Sequence, residues 1–452
     1  MAAMPSLKVD TSLKGILLLT LPISVANLIP ELNYLLNAAF LGHLGSKELA
    51  LTGITGVYYL IFAAIGYGLN AALLSIMSRR AGENNRDDIF ATLWHGIVIA
   101  LVLSVVFIVF TWIVTPYLIR LTNIEPSGAQ MAEEFLNIRI FGIVFLYLIQ
   151  MQNAYLISLQ RTKVLMIVAF VQASVNLGLD YGLIFGHFGM PKLGFMGAAY
   201  ASVLSEIAGA ITVFVIIRYL NLSKLYDITI SLKISLNKIK QVLMQGLPLM
   251  GQYAISTSAW WMFYVLISRN YNYDEQAISQ TMRNLFGLSS VFTWAFGSST
   301  NTILSNLIGQ GRQNELFGML KRLTLISTIG IIIFLTILNA YPRLFFDIFG
   351  QGDGFIAASK GPLFVVSVAI LILGMGVISL NAVVATGNTK VVFWIEFAGI
   401  SCYLIYVYTV AEILKLSLEV AWMSEWVYWG VILVLGFWYL RYGNWRNSLS
   451  LD

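Results

Sequence analysis

Long apolar stretches follow one another along the whole 452-residue chain, and short polar segments separate them. Each stretch exceeds the roughly 20 residues that an α-helix needs to cross a bilayer. A helix satisfies its own backbone hydrogen bonds in lipid, so the pattern predicts an all-α integral membrane protein. The twelve predicted spans are 13–40, 49–78, 89–115, 132–158, 164–187, 195–220, 239–268, 276–307, 316–341, 361–385, 391–414 and 418–441.

Composition agrees with this pattern. The chain is 58% hydrophobic and 11% charged, with a mean hydropathy of +0.79. Soluble proteins carry about 25% charged residues. These values exclude an ordinary soluble domain and indicate that the lipid bilayer surrounds most of the chain.

The lysines and arginines between spans predict the orientation. With a cytoplasmic N-terminus, eighteen of them fall on the inside and seven on the outside. Positive residues collect on the cytoplasmic side, so we expect both termini to be cytoplasmic in a multi-pass protein of the plasma (inner) membrane. The net charge of +5 therefore reports topology, and no nucleic-acid partner is expected.

The two halves of the chain resemble each other at a separation of about 227 residues. "GYGLNAALLSIMSRRAGENN" (66–85) matches "AFGSSTNTILSNLIGQGRQN" (295–314), and "QRTKV" (160–164) matches "GNTKV" (387–391). Six spans per half give both halves the same orientation, which predicts two six-helix bundles related by a parallel pseudo-twofold repeat. Such repeats are typical of secondary transporters that bind their substrate between the halves.

This repeat predicts three regions. They are an N-terminal bundle at 1–222, a basic cytoplasmic linker at 223–240 and a C-terminal bundle at 241–452. We expect the linker to lie on the anionic leaflet, and we expect the chain to act as a monomer.

Four segments resemble the multidrug and toxic compound extrusion (MATE) family. They are "FLGHLGSKELALTGI" (40–54), "GYGLNAALLSIMSRRAGENN" (66–85), "NLGLDYGLIFGHFGMPKLGFMGAAYAS" (176–202) and "QGLPLMGQ" (245–252) with "GSSTNTILSNLIGQGRQNE" (297–315). The resemblance implies two six-helix bundles around a central cavity. It also implies export of amphiphilic, often cationic compounds in exchange for protons or sodium, with a coupling-ion site in the N-terminal bundle.

Two positions depart from that family's pattern. Asn37 stands where bacterial members usually carry an aspartate, and Ser256 stands where sodium-type members carry a carboxylate. Span 10 holds no acid either. An acid-based coupling site is therefore expected to rely on the N-terminal half.

Asp180 is the leading candidate for that site. Asn176 precedes it by four residues, so both share one helix face. A charge at this depth costs at least about 2.5–3.5 kcal/mol, which a proton, a bound cation or a fixed Arg or Lys must offset. A transient Na⁺ would take oxygens from Asp180, Asn176, Ser202 and Asn37. With a single carboxylate, proton coupling is slightly favoured, and no other cofactor or metal is expected.

Other in-span charges leave alternatives open. Arg139 has a similar predicted depth to Asp180 and could pair with it permanently. Glu31 follows Pro30, which can bend the helix, so it is a further coupling candidate. Glu206 is a weaker candidate, and Glu396 is expected to reach water near the cytoplasmic end of span 11.

Polar and aromatic side chains within spans are candidates for the substrate cavity, because aromatic faces attract organic cations. Lipid-facing positions and helix packing explain such residues equally well. The candidates are Tyr34, Gln150, Asn153, Gln252, Trp260, Arg283 and Asn381.

The leading function is thus ion-coupled antiport of small organic substrates. A lipid-linked precursor flippase of the same broader superfamily is the alternative, although cations away from the ends of the spans are sparse (Arg139 and Arg283). An intramembrane enzyme is disfavoured because no span places a nucleophile and a base, or a histidine pair, on one face.

Overall fold

A computed structural model describes residues 6–120, 125–346 and 353–446. The described residues form helices and contain no β-strand. The helices are α1 (Leu13–Leu44), α2 (Ser46–Gly82), α3 (Arg86–Arg120), α4 (Pro126–Arg139), α5 (Gly142–Ser158), α6 (Lys163–Phe185), α7 (Phe195–Tyr219), α8 (Leu222–Leu225), α9 (Leu236–Asn270), α10 (Tyr273–Gly309), α11 (Leu316–Ala340), α12 (Arg343–Phe346), α13 (Asp353–Ala385), α14 (Thr389–Tyr408), α15 (Leu418–Trp422) and α16 (Ser424–Tyr442).

The predicted spans all coincide with helices. In the described ranges, nine helical segments are long and apolar enough to cross a membrane, and the bent pair α4–α5 adds a tenth. Helices α9 and α10 have 35 and 37 residues and occupy predicted spans 7 and 8, and they are more polar than those segments. These helices together account for the twelve spans.

The polarity of α10 comes from small side chains that are buried inside the protein. Its buried polar residues include Thr281, Ser289, Thr300 and Thr302. Each hydroxyl donates to the carbonyl four residues earlier, at 2.7–3.0 Å. A hydroxyl satisfied within its own helix costs little in an apolar environment, so a polar sequence still forms a long buried helix.

Predicted span 4 is broken. The structure replaces the single helix expected at 132–158 with α4 and α5, which meet at an angle of 42° around residues 140–141. No proline lies at the break. A buried ion pair described below occupies this position.

The internal repeat is visible in the backbone. Asn84 and Gly311 are 227 residues apart, and both adopt left-handed φ angles of 58° and 74°. Each ends a long helix with the same two hydrogen bonds, which is the Schellman arrangement. Gln160 and Gly387, also 227 residues apart, are a second pair of left-handed residues, with φ of 59° and 85°. The sequence match pairs Gly311 with Gly82. In the structure the residue equivalent to Gly311 is Asn84, two positions later.

Two compact units make up the chain, Met1–Met250 (unit 1) and Gly251–Asp452 (unit 2). The division falls inside α9, so the first part of that helix belongs to unit 1. In unit 1, α6 packs on α1 and α7, and α2 packs on α3 and α5. In unit 2, α13 packs on α10, α11 and α16, and α14 packs on α16.

The segment predicted as a linker at 223–240 contacts α3. The Thr229 N–H donates to Asp87 Oδ1 at 3.1 Å, and the Ser235 N–H donates to His95 Nε2 at 2.8 Å. Lys238 forms an ion pair with Asp88. These contacts attach the segment to unit 1.

Candidate functional site

The α1–α6 interface of unit 1 brings three asparagines together. Asn33 Nδ2 and Asn37 Nδ2 both donate to Asn176 Oδ1, at 2.6 and 2.9 Å. Asn33 and Asn37 are four residues apart on α1, and therefore share one face. The structure thus places the predicted residues Asn37 and Asn176 in direct contact.

Asp180 lies one helical turn beyond Asn176 on α6. Its side chain is 0% exposed, and neither carboxylate oxygen has a hydrogen-bond partner in the described residues. Asn37 Oδ1 and Asn176 Nδ2 are also buried without a partner. Buried polar atoms are usually hydrogen-bonded, and unsatisfied ones call for an explanation.

These unsatisfied atoms define what the interface can bind. Three of them are oxygens, both of Asp180 and the one of Asn37. Oxygen atoms accept protons and are the ligands of hard cations such as Na⁺. A buried carboxylate also needs a positive partner, which a proton or a cation supplies. We refer to Asn33, Asn37, Asn176 and Asp180 as the α1–α6 polar cluster.

Apolar side chains follow the polar cluster on both helices. Leu41 lies four residues after Asn37, and Ile184 lies four residues after Asp180. Both are buried in one hydrophobic cluster with Phe135 and Phe195. This packing covers one end of the polar cluster and restricts the entry of water from that direction.

Arg139 does not pair with Asp180. Its guanidinium binds Glu206 on α7 through two hydrogen bonds, Nη1 to Oε2 at 2.9 Å and Nη2 to Oε1 at 2.7 Å. Tyr59 completes the group, since its hydroxyl donates to Glu206 Oε1 at 3.0 Å and its ring lies 3.6 Å from the Arg139 guanidinium carbon. Glu206 is therefore neutralised by a fixed cation, whereas Asp180 has no such partner among the described residues.

The other coupling candidates occupy different positions. Glu31 is exposed and lies two residues before Asn33, so it is on another face of α1. Ser202 on α7 is half-buried, and its carbonyl accepts from Ser205. It makes no hydrogen bond to Asp180.

The cavity candidates in unit 1 pack between helices. Gln150 is buried on α5, where its Nε2 donates to Ala63 O of α2 at 3.4 Å. Asn153 is half-buried, with its Oδ1 unsatisfied. Tyr34 lies in α1, but its side chain is outside the part of the chain that the structure describes.

The candidates in unit 2 have mixed surroundings. Trp260 belongs to an aromatic cluster with Phe263, Tyr264, Phe286 and Trp422. The Arg283 guanidinium carbon lies 4.8 Å from the centre of the Tyr264 ring. Gln252 is buried, and Asn381 donates to its own helix at Val377 O.

A cavity of about 530 Å³ lies in unit 2 between α9 and α10. This volume is within the range of small-molecule sites. The lining combines aromatic and amide side chains, and none of the predicted cavity residues belongs to it. The lining residues are Trp261, Tyr264, Val265, Ile267, Ser268, Gln276, Ala277 and Gln280.

The expectation that Glu396 reaches water near the cytoplasmic end of span 11 is wrong. Glu396 is 1% exposed and does not reach water, and Glu425 is also 1% exposed. Tertiary packing causes the difference, because α16 covers the face of α14 that carries Glu396.

Comparison with known proteins identifies similar chains. Residues 22–182 match the MatE family model. A probable multidrug resistance protein NorM of Thermotoga maritima is 25% identical over 431 residues, covering 93% of this chain and 90% of that protein. A protein of the same description from Halalkalibacterium halodurans is 30% identical over 216 residues, covering 46% of each chain.

Solved structures share the fold. An outward-facing multidrug resistance MATE family transporter of the MOP superfamily matches with a TM-score of 0.87, at 18% identity and over 99% of both chains. A MOP superfamily transporter from Pyrococcus furiosus matches with a TM-score of 0.85, at 17% identity, over 98% of this chain and 97% of that one. These matches confirm the predicted all-α membrane fold.

Proposed function

The chain belongs to the MATE family of multidrug efflux transporters, and from this premise we propose that it is an antiporter driven by an ion that binds at Asp180. Its transported substrates are small amphiphilic compounds, often cationic, as the resemblance of the chain to the family implies. Protons or Na⁺ supply the driving force, and we place their binding in unit 1. The relatives described above are named as multidrug resistance proteins or as a MATE family transporter, so we assign no catalytic residues.

The observation that carries this proposal is the difference between two buried acids of one unit. Glu206 has a bidentate guanidinium partner, whereas Asp180 has no hydrogen-bond partner for either oxygen in the described residues. A permanently paired acid gains little from binding and releasing an ion. An unpaired acid in a low-polarity interface is stable only while it holds a proton or a cation, so its ion occupancy can follow a change of conformation, which a coupling site requires.

The oxygens around Asp180 favour a proton slightly over Na⁺. Asn37 supplies a neutral oxygen where a second carboxylate would bind sodium more strongly. Neutral ligands attract a cation less than charged ones do, whereas a proton needs only one carboxylate.

The in-span arginines support an organic cation as substrate over an anionic lipid precursor. Arg139 is neutralised by Glu206, and Arg283 lies against the Tyr264 ring. Arg283 keeps its charge, but a single in-span cation is a weak counter-charge for a pyrophosphate-linked lipid.

The test uses proteoliposomes loaded with a fluorescent cationic dye, with a pH gradient and a Na⁺ gradient imposed in separate experiments. We expect one gradient to drive dye movement, and we expect Asp180→Asn to abolish the driven component. Glu134→Gln is the matched control, because Glu134 is an exposed acid of the same unit.

Three results would contradict the proposal. They are dye movement that ignores both gradients, normal driven transport by Asp180→Asn, and movement of a lipid-linked precursor without any ion gradient. The last result would instead favour the flippase alternative.

We also propose that the protein acts as a monomer in the plasma (inner) membrane, with both termini cytoplasmic. The positive-inside distribution supports the orientation. Mass measurement of the reconstituted protein tests the oligomeric state.

A further inference from the structure

Unit 2 contains two buried acids that the α1–α6 polar cluster does not use. Glu396 lies on α14 and Glu425 on α16, and each is 1% exposed. The ion pairs of the described residues include neither of them. Both therefore differ from Glu206, which has Arg139 as a partner.

Glu396 ends a chain of hydroxyl groups from two other helices. The Tyr428 hydroxyl of α16 donates to Glu396 Oε1, and the Ser256 hydroxyl of α9 lies 3.1 Å from the Tyr428 oxygen. Because Tyr428 uses its only proton for Glu396, Ser256 is the donor in the second bond. Glu396 Oε2 is buried and has no partner.

The groups that face Glu396 are almost all neutral. Helix α9 supplies Ser256 and Gln252, and α16 supplies Tyr428. Tyr403, which lies on α14 like Glu396, packs near Tyr428 with ring centres 5.7 Å apart. Tyr428 also lies within electrostatic range of a second acid, Glu425, whose Oε2 accepts from Trp429 Nε1 at 3.2 Å.

This arrangement fits a proton better than any larger ligand. An isolated carboxylate within the membrane is costly, and a second acid nearby makes the double charge costlier still. The cavity described above lies between α9 and α10, and Glu396 is not among its lining residues. A proton needs no cavity and removes the charge.

We propose that Glu396, with Tyr428 and Ser256, forms a second proton-binding site, which lies in unit 2, and that its proton exchanges during transport. Release of one proton leaves a carboxylate that keeps the Tyr428 hydrogen bond on Oε1. The Ser256 hydroxyl supports that bond by donating to the Tyr428 oxygen. The exchange during transport rests on the proposed antiport, whereas the presence of the proton does not.

Infrared spectroscopy of the full chain in proteoliposomes tests the proposal. A protonated carboxyl has a C=O stretching band that a carboxylate lacks, and ¹³C labelling of glutamate shifts this band for Glu396 but not for Asp180. We expect a labelled protonated-carboxyl band near neutral pH that disappears as pH rises. Glu396→Gln should remove its component, and the exposed control Glu134→Gln should not.

Tyr428→Phe provides a second readout. It removes the hydroxyl that stabilises the charged form, so the Glu396 band should persist to higher pH. Glu396→Gln should also reduce proton-driven dye export by about tenfold or more, within the usual range of coupling between sites. Melting temperatures of the variants show whether they fold.

Different results would contradict the proton-binding site at Glu396 and the exchange of its proton during transport. Absence of a Glu396 component near neutral pH overturns the site. A Glu396 band that never titrates, together with normal export by Glu396→Gln, overturns the exchange. Driven dye transport by Asp180→Asn tests the proposed function separately. The labelled Glu396 band does not depend on Asp180, because aspartate is not labelled.

Discussion

At the scale of single residues, the environment of an acid decides its role. Glu206 and Asp180 lie on adjacent helices of unit 1, and both are buried. Glu206 has two charge-assisted hydrogen bonds from Arg139, which are the strong kind. Asp180 has none in the described residues. We therefore expect the first acid to stabilise the fold, and we propose the second as the ion-binding acid.

Glu206→Gln should destabilise the protein. The substitution leaves the buried Arg139 charge without its counter-ion, which typically costs about 3–5 kcal/mol. Replacing both residues together, as Arg139→Met with Glu206→Leu, should recover much of that loss because no charge remains. Thermal unfolding in detergent measures both effects, and equal melting temperatures for the single variant and the unmodified protein would contradict the expectation.

Asn37→Asp should increase sodium dependence. A second carboxylate beside Asn176 adds a charged oxygen to the Asp180 interface, and ligand charge strengthens cation binding. We expect the Na⁺ concentration for half-maximal transport to fall by about tenfold. Asn84→Asp, at an exposed turn of the same unit, is the control. An unchanged sodium response would show that Asn37 is not part of the ion site.

Asn33 shows what residue-level reasoning overlooked. Residue spacing and the resemblance to the MATE family pointed to Asn37, Asn176 and Asp180. Asn33 lies four residues before Asn37 and donates to the same oxygen. This i, i+4 spacing on α1 was the available signal.

At the scale of elements, the break between α4 and α5 follows from the same ion pair. Gly142 begins α5, and a Cβ atom there would collide with Glu206 Oε2 and Arg139 Nη1. The missing side chain leaves space for the pair where the two helices meet. A bend at this place thus has a steric and electrostatic cause rather than a proline.

Gly142→Ala should therefore be destabilising. Overpacking of this kind costs typically about 1–3 kcal/mol. Gly53→Ala on α2 is the matched control, because a Cβ there meets no atom within 4 Å. Alanine favours a helix by up to about 1 kcal/mol over glycine, so the control should be neutral or stabilised. Similar melting temperatures for the two variants would contradict the packing argument.

The repeated helix ends show a second element-level cause. Asn84 and Gly311 end equivalent helices in left-handed conformations. Glycine adopts this conformation freely and asparagine tolerates it. The same turn therefore forms in both halves although the residues differ.

At the scale of the whole molecule, the distribution of positive charge predicts the orientation in the membrane. Eighteen lysines and arginines fall on the expected cytoplasmic side and seven on the other. Asn84 lies in an expected cytoplasmic turn and Lys192 in an expected outside loop, and both are exposed.

Cysteine labelling checks this orientation. With Cys402, the single cysteine, replaced by serine, a membrane-impermeant maleimide should label Lys192→Cys but not Asn84→Cys in intact cells. Labelling of both sites after permeabilisation is the control. The reverse pattern in intact cells would invert the proposed topology.

The sequence by itself determined the membrane class, the helical spans and the internal repeat. These features depend on local properties, because an apolar stretch of sufficient length must form a helix in lipid whatever its neighbours are. The coupling candidates Asp180 and Asn176 were also accessible, since residues four apart on one helix share a face.

Only the tertiary structure decided which acids are paired, which are buried and where span 4 breaks. Arg139 pairs with Glu206 and not with Asp180, and α16 buries Glu396. These outcomes depend on which helix faces meet, and residues far apart in the chain set them. Hydropathy and spacing carry no information about such contacts.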